Sequence, residues 1–303
     1  MSGTYQLLED EEAMAAIAEG YGSLLPVPSA CEPRLAGVLH TTLANPGGLS
    51  RAQLAYCVMT ALGGEKDMAI RAATAVEYFH TASLLLDDLP CMDDARVRRG
   101  MPCPHTVYGE SAAILGSLAF INRAYFLLGG LTWHLNFQQQ DQAREMVESC
   151  LGVEGVLNGQ SLDLHADYVM TPQMVRKVAE GKTVTMLRLA LILPALLGKA
   201  SVEQVNHLEI LAREWGLAYQ LIDDFKDVLD TSGSKTAGRD IALNRPNMYH
   251  CLGAEDAAQQ LDEHMKTAAQ NLDAFPGEQW LFLHRLQARL ESERSRLQLL
   301  AVA

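Results

Sequence analysis

The chain of 303 residues has no uninterrupted apolar run long enough to cross a bilayer. Met186 to Leu197 is short and holds Arg188 and Pro194, which reads as a core helix. Ala112 to Leu131 is longer but is broken by Asn122 and Arg123. The opening MSGTYQLLEDEEAM is acidic and lacks the apolar core of a signal peptide, so a cytoplasmic protein without a transmembrane segment is expected. Cysteine is sparse and unpatterned. Cys31, Cys57, Cys91, Cys103, Cys150 and Cys251 form no CxxC and no Cys/His ligand spacing, which excludes a zinc ribbon and a disulfide framework. They read as reduced thiols, many of them buried. Basic residues are in deficit, 24 Lys and Arg against 37 Asp and Glu, for a net charge of −13. That balance argues against nucleic acid or an anionic membrane as the main partner, but not against a phosphate substrate with its own local basic site. Val/Ile/Thr/aromatic runs bounded by turn residues are also missing, as are interdomain linkers, low-complexity tracts and short-period repeats.

What is present is helical. The chain is 49% hydrophobic and 20% charged, enough to bury a large core. From Val205, the residues Leu208, Leu211, Trp215, Ala218 and Ile222 recur at three and four positions, one face of a long helix. Arg71 to Leu86 repeats the pattern through Ala73, Val76, Phe79 and Leu84, with Glu77 and His80 one turn apart. Breakers separate the segments at Pro26–Pro28, Pro46–Gly48, Gly63–Gly64, Pro102–Pro104, Gly129–Gly130, Pro172, Gly198, Ser232–Ser234 and Pro276–Gly277. Thr171 followed by Pro172 reads as an N-cap with proline at the first helical position. The expectation is all-α, one enlarged helix bundle with a single domain over residues 1–303.

Chemistry concentrates in Leu84 to Gly100, LLLDDLPCMDDARVRRG. Four carboxylates (Asp87, Asp88, Asp93, Asp94) and three arginines (Arg96, Arg98, Arg99) follow a leucine run. Carboxylates at the mouth of a core repel one another and resist desolvation unless a cation offsets both costs. Oxygen-only ligands suit Mg²⁺, and adjacent arginines suit an anion arriving with it, phosphate above all. A second acidic stretch is Tyr219-Gln-Leu-Ile-Asp223-Asp224-Phe-Lys-Asp227, with Asp223 and Asp227 at i and i+4 on one helix face. A lone DDxxD is usually a surface helix turn. Two acidic sites, each ending an apolar helix and each followed by basic residues, are much harder to dismiss. Facing helices could set both clusters around one cavity and hold Mg²⁺ and a diphosphate. A diphosphate so held is a good leaving group. An allylic carbon then leaves as a delocalised cation, and an apolar cavity would keep water from it.

These motifs resemble the trans-isoprenyl diphosphate synthases, the polyprenyl synthetase family, over approximately residues 40–255. Asp87-Asp88-Leu-Pro-Cys-Met-Asp93-Asp94 with Arg98-Arg99-Gly100 is similar to the first aspartate-rich motif. Asp223-Asp224-Phe-Lys-Asp227, preceded by Gln220, is similar to the second. Gly159-Gln160-Ser-Leu-Asp163-Leu, Gly181-Lys182-Thr183 and Glu77-Tyr-Phe-His80 match further family motifs. The resemblance implies the isoprenoid synthase fold, with a central cavity between two aspartate-rich helices, and a homodimer. It implies about three Mg²⁺ per active site, held by Asp87, Asp88, Asp93, Asp223, Asp224 and Asp227. Arg98, Lys182 and Lys235 would take the allylic diphosphate, and Arg99 with His80 the isopentenyl diphosphate. Thr183 and Gln220 would steady the cation. In the family, the residues four and five before the first aspartate floor the hydrocarbon pocket. Here Ser83 and Ala82 are small, and the PCMDDA form is closest in style to bacterial geranylgeranyl diphosphate synthases, which implies a twenty-carbon product.

Two departures qualify the resemblance. The family's early GGKRLRP motif supplies a lysine and an arginine for isopentenyl diphosphate, where this chain has Leu49 and Ala52, with Arg51 one residue out of place. The late KxTYP-like stretch reads Arg245-Pro-Asn-Met-Tyr249. The expected function is therefore Mg²⁺-dependent condensation of isopentenyl diphosphate with an allylic diphosphate. The alternatives are a terpene synthase or prenyltransferase that ionises the allylic substrate without using isopentenyl diphosphate, and a non-catalytic regulatory subunit of a synthase.

Overall fold

The computed structural model describes residues 7–165, 171–229 and 245–302, with side chains through Leu297. The chain forms two compact units, Met1–Gln140 and Asp141–Ala303, each described by itself.

The first unit is organised on α4 (Lys66–Asp87), against which α1 (Glu11–Ser23), α3 (Ser50–Ala61) and α6 (Glu110–Leu131) pack; α2 (Pro33–Ala44) and α5 (Pro104–Tyr108) lie against α6. α4 can be surrounded because five of its buried positions are alanines (Ala69, Ala72, Ala73, Ala75 and Ala82), which let neighbouring backbones approach. Aromatics fill what the alanines leave. Tyr78 stands edge-on to Tyr21 and Phe120, with ring centroids 5.3 and 5.1 Å away. Such pairs add about 0.5–1.5 kcal/mol beyond their buried area. Both phenols are satisfied: Tyr78 Oη donates to the Tyr21 carbonyl at 2.7 Å, and the Tyr21 hydroxyl pairs with Thr81 Oγ1 at 3.0 Å.

A two-residue antiparallel hairpin, β1 (Val97–Arg98) and β2 (Met101–Pro102), interrupts the helices. No strand was expected there, because the hairpin comes from its turn and not from β propensity. Arg99 (φ +53°) and Gly100 (φ +80°) both occupy the left-handed region, the mark of the mirror-image turns that match strand twist. Gly100 adopts it freely, whereas Arg99 does so at a cost of about 1 kcal/mol. Gly129 and Gly130 also differ from expectation. They lie in the last turn of α6 instead of breaking it. Their helix cost, about 1 kcal/mol each, is opposed by burial of Leu127, Leu128 and Leu131 in the same turn. α6 is the one described helix long and apolar enough to cross a membrane by length and composition, with 44% of that window buried.

The second unit comprises α7 (Phe137–Leu151, whose first residues belong to the first unit), α8 (Val156–Leu164), α9 (Pro172–Ala179), a π-helical turn (Glu180–Val184), α10 (Thr185–Leu197), α11 (Val202–Leu229), α12 (Met248–Leu252), α13 (Ala254–Leu272), a short 3₁₀ turn (Glu278–Trp280) and α14 (Leu281–Val302). Its axis is α11, 28 residues and about 42 Å long. The face expected from periodicity is the buried one: Leu208, Leu211, Trp215, Ala218 and Ile222 are all shielded from solvent. Trp215 Nε1 donates to Gln287 Oε1 at 2.7 Å, and Gln287 Nε2 donates to the Met265 carbonyl at 3.1 Å, tying α11, α14 and α13 through one buried amide. Thr171 caps α9 as expected, its Oγ1 accepting from the Met174 amide at 3.3 Å, with Pro172 opening the helix. All six cysteines are free, and Cys57, Cys103 and Cys150 are buried. The break expected at Ser232–Ser234 lies outside the described residues.

Where α8 meets the π-helical turn, backbone touches backbone. A Cβ on Gly159 would stand 2.6 Å from the Gly181 carbonyl carbon, and one on Gly181 2.6 Å from the Gly159 Cα. Gly159→Ala is therefore expected to destabilise the protein by about 1–3 kcal/mol in urea unfolding. Gly22→Ala, on an open face of α1, is expected to be neutral or stabilising by up to about 1 kcal/mol. Equal effects would show that the α8 contact is not close-packed.

Candidate active site

Both acidic motifs sit at the carboxyl ends of helices. Asp87 is the last residue of α4 and Asp88 its C-cap. Asp223, Asp224 and Asp227 occupy the last two turns of α11. The helix field is negative there, so each carboxylate is disfavoured by about 0.3–1 kcal/mol unless a cation or a donor answers it. Asp88 and Asp224 are buried against protein donors, while Asp87, Asp93, Asp223 and Asp227 are half-buried or exposed.

In the first unit the answered acid is Asp88, which is 2% exposed. Arg98, projecting from β1, places Nε 2.8 and 2.9 Å from its two oxygens and Nη2 2.6 Å from Oδ1. This fork raises the Arg98 pKa and leaves Asp88 committed within the protein. Asp87 and Asp93 are half-buried instead. The loop after α4 folds back on the helix end: the amides of Asp93, Asp94 and Ala95 donate to the carbonyls of Asp87, Leu89 and Asp88 at 2.9, 3.0 and 3.2 Å. Asp94 takes a left-handed conformation (φ +46°) to make that return. Thus the four residues separating Asp88 from Asp93 are looped out, and Asp93 is brought beside Asp87.

The second unit repeats the division. Asp224 is buried, accepting from Gln220 Nε2 at 2.9 Å and from the Met248 amide at 2.7 Å. It anchors the start of α12 to α11. Asp223 is exposed and Asp227 half-buried, one turn apart on one face of the helix. Among the described residues no group of three His, Cys, Asp or Glu side chains is gathered to hold a metal ion. Pairs of carboxylate oxygens without softer donors nevertheless fit Mg²⁺, which is commonly held by one or two carboxylates and completed by substrate phosphates and water.

The π-helical turn carries the other polar groups of the second unit. Such turns widen a helix by one residue and often mark functional positions. Lys182 Nζ is 2.5 Å from Asp163 Oδ2, and Thr183 Oγ1 donates to Gln220 Oε1 at 2.8 Å. A chain of hydrogen bonds therefore runs from Thr183 through Gln220 to Asp224. Arg245 donates to the Asp163 carbonyl at 2.9 Å and lies 3.9 Å from its carboxylate, so Lys182 and Arg245 converge on one acid. Asp163 and Arg245 were given no role in the sequence. Their signal was present, in GQSLDL and in the altered late motif, but their meeting spans 82 residues. Lys235 lies outside the described residues.

On the face of α4 below Asp87, His80 meets Arg51, whose Nη1 donates to His80 Nε2 at 3.1 Å. The imidazole is thereby an acceptor at Nε2. Burial, then Arg51, Arg99 and Arg98, push its pKa well below the usual range. Glu77, one turn away and buried, accepts the Ala52 amide at 2.9 Å, and burial raises its pKa. Arg99, at the hairpin tip, donates to the Pro46 carbonyl at 3.0 Å. It lies so close over Gly47 that a Cβ there would meet its guanidinium. A cavity of about 270 Å³ lies behind the Asp88–Arg98 pair, lined by Tyr21, Thr42, Leu84, Leu85 and Met101. Ala82 is buried. Ser83 is half-buried, and its hydroxyl donates to the His80 carbonyl at 2.8 Å. One turn before Ser83, buried Phe79 stands edge-on to Tyr125 with centroids 5.0 Å apart.

Residues 32–276 match the family model described as polyprenyl synthetase. A geranylgeranyl diphosphate synthase of Pseudescherichia vulneris is 37% identical over 204 residues, covering 66% of this chain and 64% of that protein. The match thus spans just under two thirds of the relative's length. Geranylgeranyl pyrophosphate synthase 10, mitochondrial, of Arabidopsis thaliana is 31% identical over 251 residues, covering 80% of this chain and 73% of the relative. The fold is shared with an FPP/GFPP synthase from Zymomonas mobilis: TM-score 0.79 at 24% identity, covering 91% of this chain and 95% of that one.

The neutral His80 has a consequence for stability. Its pKa is lowered in the folded chain, so the unfolded chain binds more protons. The contribution is complete above the unfolded pKa, near 6.5, and is lost as pH falls from there toward the folded value. Between pH 7.5 and 5.5 the urea midpoint of the protein is expected to fall more steeply than that of His80→Gln. Parallel slopes would show that His80 titrates as it does in solution.

Proposed function

The chain belongs to the polyprenyl synthetase family, and we propose that it is a short-chain trans-prenyl diphosphate synthase. It condenses isopentenyl diphosphate with an allylic diphosphate, and residues 1–303 act as one catalytic domain in the cytoplasm. The observation that carries this reading is the repeated division of acids at two helix ends. In each, one aspartate is buried against protein donors, and a pair, Asp87 with Asp93 or Asp223 with Asp227, stands half-buried or exposed, as oxygen ligands of Mg²⁺ would. Names carried by relatives in the 30–40% identity range support the same activity.

The reaction breaks the allylic carbon–oxygen bond with its electron pair leaving on diphosphate. The double bond of isopentenyl diphosphate attacks the carbon so exposed, and loss of a proton restores an alkene. Asp87, Asp93, Asp223 and Asp227 would hold Mg²⁺, which when bound supplies charge neutralisation to the leaving diphosphate. Asp88 and Asp224 serve that set by fixing the helix ends that carry it. Arg98, tethered to Asp88, and Lys182, tethered to Asp163, are each assigned to the leaving diphosphate. Lys235 is assigned there too. Thr183 has its hydrogen committed to Gln220, so its oxygen keeps lone pairs to offer a developing cation. His80 and Arg99 receive the diphosphate that stays.

The hydrocarbon tail is assigned to the α4 face that descends from Asp87. Ser83 is one turn down, roughly 6 Å, and Phe79 a second turn, roughly 12 Å. Ala82 and Ser83 leave the first step open, which supports a twenty-carbon product. We assign the outer face of α6 to a second copy of this chain. Ile114, Leu115, Leu118, Tyr125 and Phe126 are exposed along one side of that helix, an apolar stripe interrupted by Asn122 and of the kind that marks protein–protein contact.

Incubation with Mg²⁺, labelled isopentenyl diphosphate and farnesyl diphosphate is expected to give labelled geranylgeranyl diphosphate. Released diphosphate with a hydrocarbon or alcohol and no label would establish the ionising alternative. Asp87→Ala and Asp223→Ala are each expected to lower kcat by 100-fold or more, roughly what several kcal/mol of lost transition-state stabilisation gives. Ser83→Phe is expected to shift the product to fifteen carbons on thin-layer analysis; an unchanged product would move the pocket floor elsewhere. In sedimentation, the protein is expected to run as a dimer and Leu118→Glu as a monomer.

A further inference from the structure

The second acidic stretch carries a cation of its own. Lys226 stands in the last turn of α11, three residues after Asp223 and next to Asp227. Side chains on a helix lean toward its N-terminus and lie over the turn before their own. By that rule Lys226 belongs over Asp223, and an acid three positions before a lysine is a favourable helical pair. An ammonium group seated there would compete with a divalent ion for the same carboxylate oxygens.

The structure holds Lys226 elsewhere. Its Nζ lies 2.7 Å from Glu293 Oε2 on α14. The Glu293 side chain is 15% exposed and that of Lys226 47%, so the acid is the seated partner and the lysine comes to it. α14 is itself fixed. Leu286, Leu290 and Leu297 are buried, and Arg294, beside Glu293, reaches Asp262 of α13 at 2.7 Å. Arg296 approaches the other oxygen of Glu293 at 3.6 Å from the same helix, which steadies the carboxylate as an acceptor. An ion pair with one partner this exposed adds little to stability. What the contact changes is where the charge of Lys226 sits.

We infer that Glu293 is a positioning residue for the metal pair on α11. It draws Lys226 away from the face that carries Asp223 and Asp227, so that the ammonium group does not compete with Mg²⁺ for Asp223. The C-terminal helix thus acts on the site through a lysine it restrains. That Mg²⁺ is the ion rests on the synthase reading above; the choice of Glu293 over Asp223 as partner of Lys226 does not.

The test uses the full chain with Glu293→Ala, Lys226→Met and both together. Mg²⁺ alone is titrated by calorimetry, and the Mg²⁺ concentration for half-maximal turnover is measured beside it. Glu293→Ala is expected to weaken Mg²⁺ binding and raise the half-maximal concentration by roughly 2- to 5-fold, the size of one exposed ion pair set in competition. Lys226→Met is expected to bind Mg²⁺ about as the parent does. The double variant should return to the parent value, because the competitor is gone. Glu293→Gln keeps the volume and is expected to lose in the same direction; it carries the test if Glu293→Ala does not fold. A purely structural role for Glu293 predicts the same loss in the single and double variants. That result overturns the inference, as does unchanged Mg²⁺ binding in a folded Glu293→Ala. Tighter binding in Lys226→Met also overturns it, since the lysine would then compete already in the parent. If the double variant restores Mg²⁺ binding yet the parent incorporates no isopentenyl diphosphate, the positioning role stands and the synthase reading falls. A parent chain that binds no Mg²⁺ overturns the inference itself.

Discussion

Aspartates at the carboxyl end of a helix stand in an unfavourable field, and much of this protein's polar architecture answers to that fact. α4 and α11 both end this way. A carboxylate there gains from any positive group, so the local chain is arranged to bring some in and to leave room for others. The β1–β2 hairpin has Arg98 at a position from which its fork closes on Asp88. The start of α12 offers the Met248 amide to Asp224. Each buried acid is satisfied by directed donors, as a group taken out of water must be. The remaining acids, Asp87, Asp93, Asp223 and Asp227, are half-buried or exposed.

A complementary logic governs the basic side. Arg51 and Arg99 hydrogen-bond a neutral imidazole and a backbone carbonyl, with the buried Glu77 carboxyl near enough to act on both. Lys182 and Arg245 instead share Asp163. The described cations therefore differ in their hydrogen-bond partners, some held by a carboxylate and some by a neutral group. Local backbone devices make this possible: left-handed conformations at Leu49, Asp94 and Arg99, and a π-helical turn across Lys182 and Thr183. Strained or irregular backbone of this kind is retained where a functional group must be aimed.

Much of the fold was legible because it rests on local repetition. The buried face of α11 follows from the spacing of Leu208, Leu211, Trp215, Ala218 and Ile222, and α9 begins where Thr171 and Pro172 require it to. Legibility failed where a local rule was overruled. Gly129 and Gly130 are helix breakers by propensity, yet neighbouring leucines keep them in α6. The hairpin has almost no β propensity and exists because Arg99 and Gly100 turn it. The close approach of Gly159 to Gly181 gives no periodic signal, since it depends on two segments that only the folded chain brings into contact.

The same division holds at the site. The sequence by itself pointed to the kind of chemistry: oxygen-only acids following two apolar helices, arginines beside them, and a dense pattern of one family's motifs. Tertiary structure decided which member of each cluster does what. Asp88 and Asp87 are adjacent in the chain and chemically identical, yet one is buried against Arg98 and the other is not. Arg51 looked misplaced by one residue, yet the left-handed start of α3 turns the flanking Leu49 and Ala52 into the core and Arg51 toward His80, 29 residues away. A side chain's charge is a property of the residue. Whether that charge is cancelled, aimed or left free depends on partners that lie far off in sequence, and only the path of the folded chain selects them.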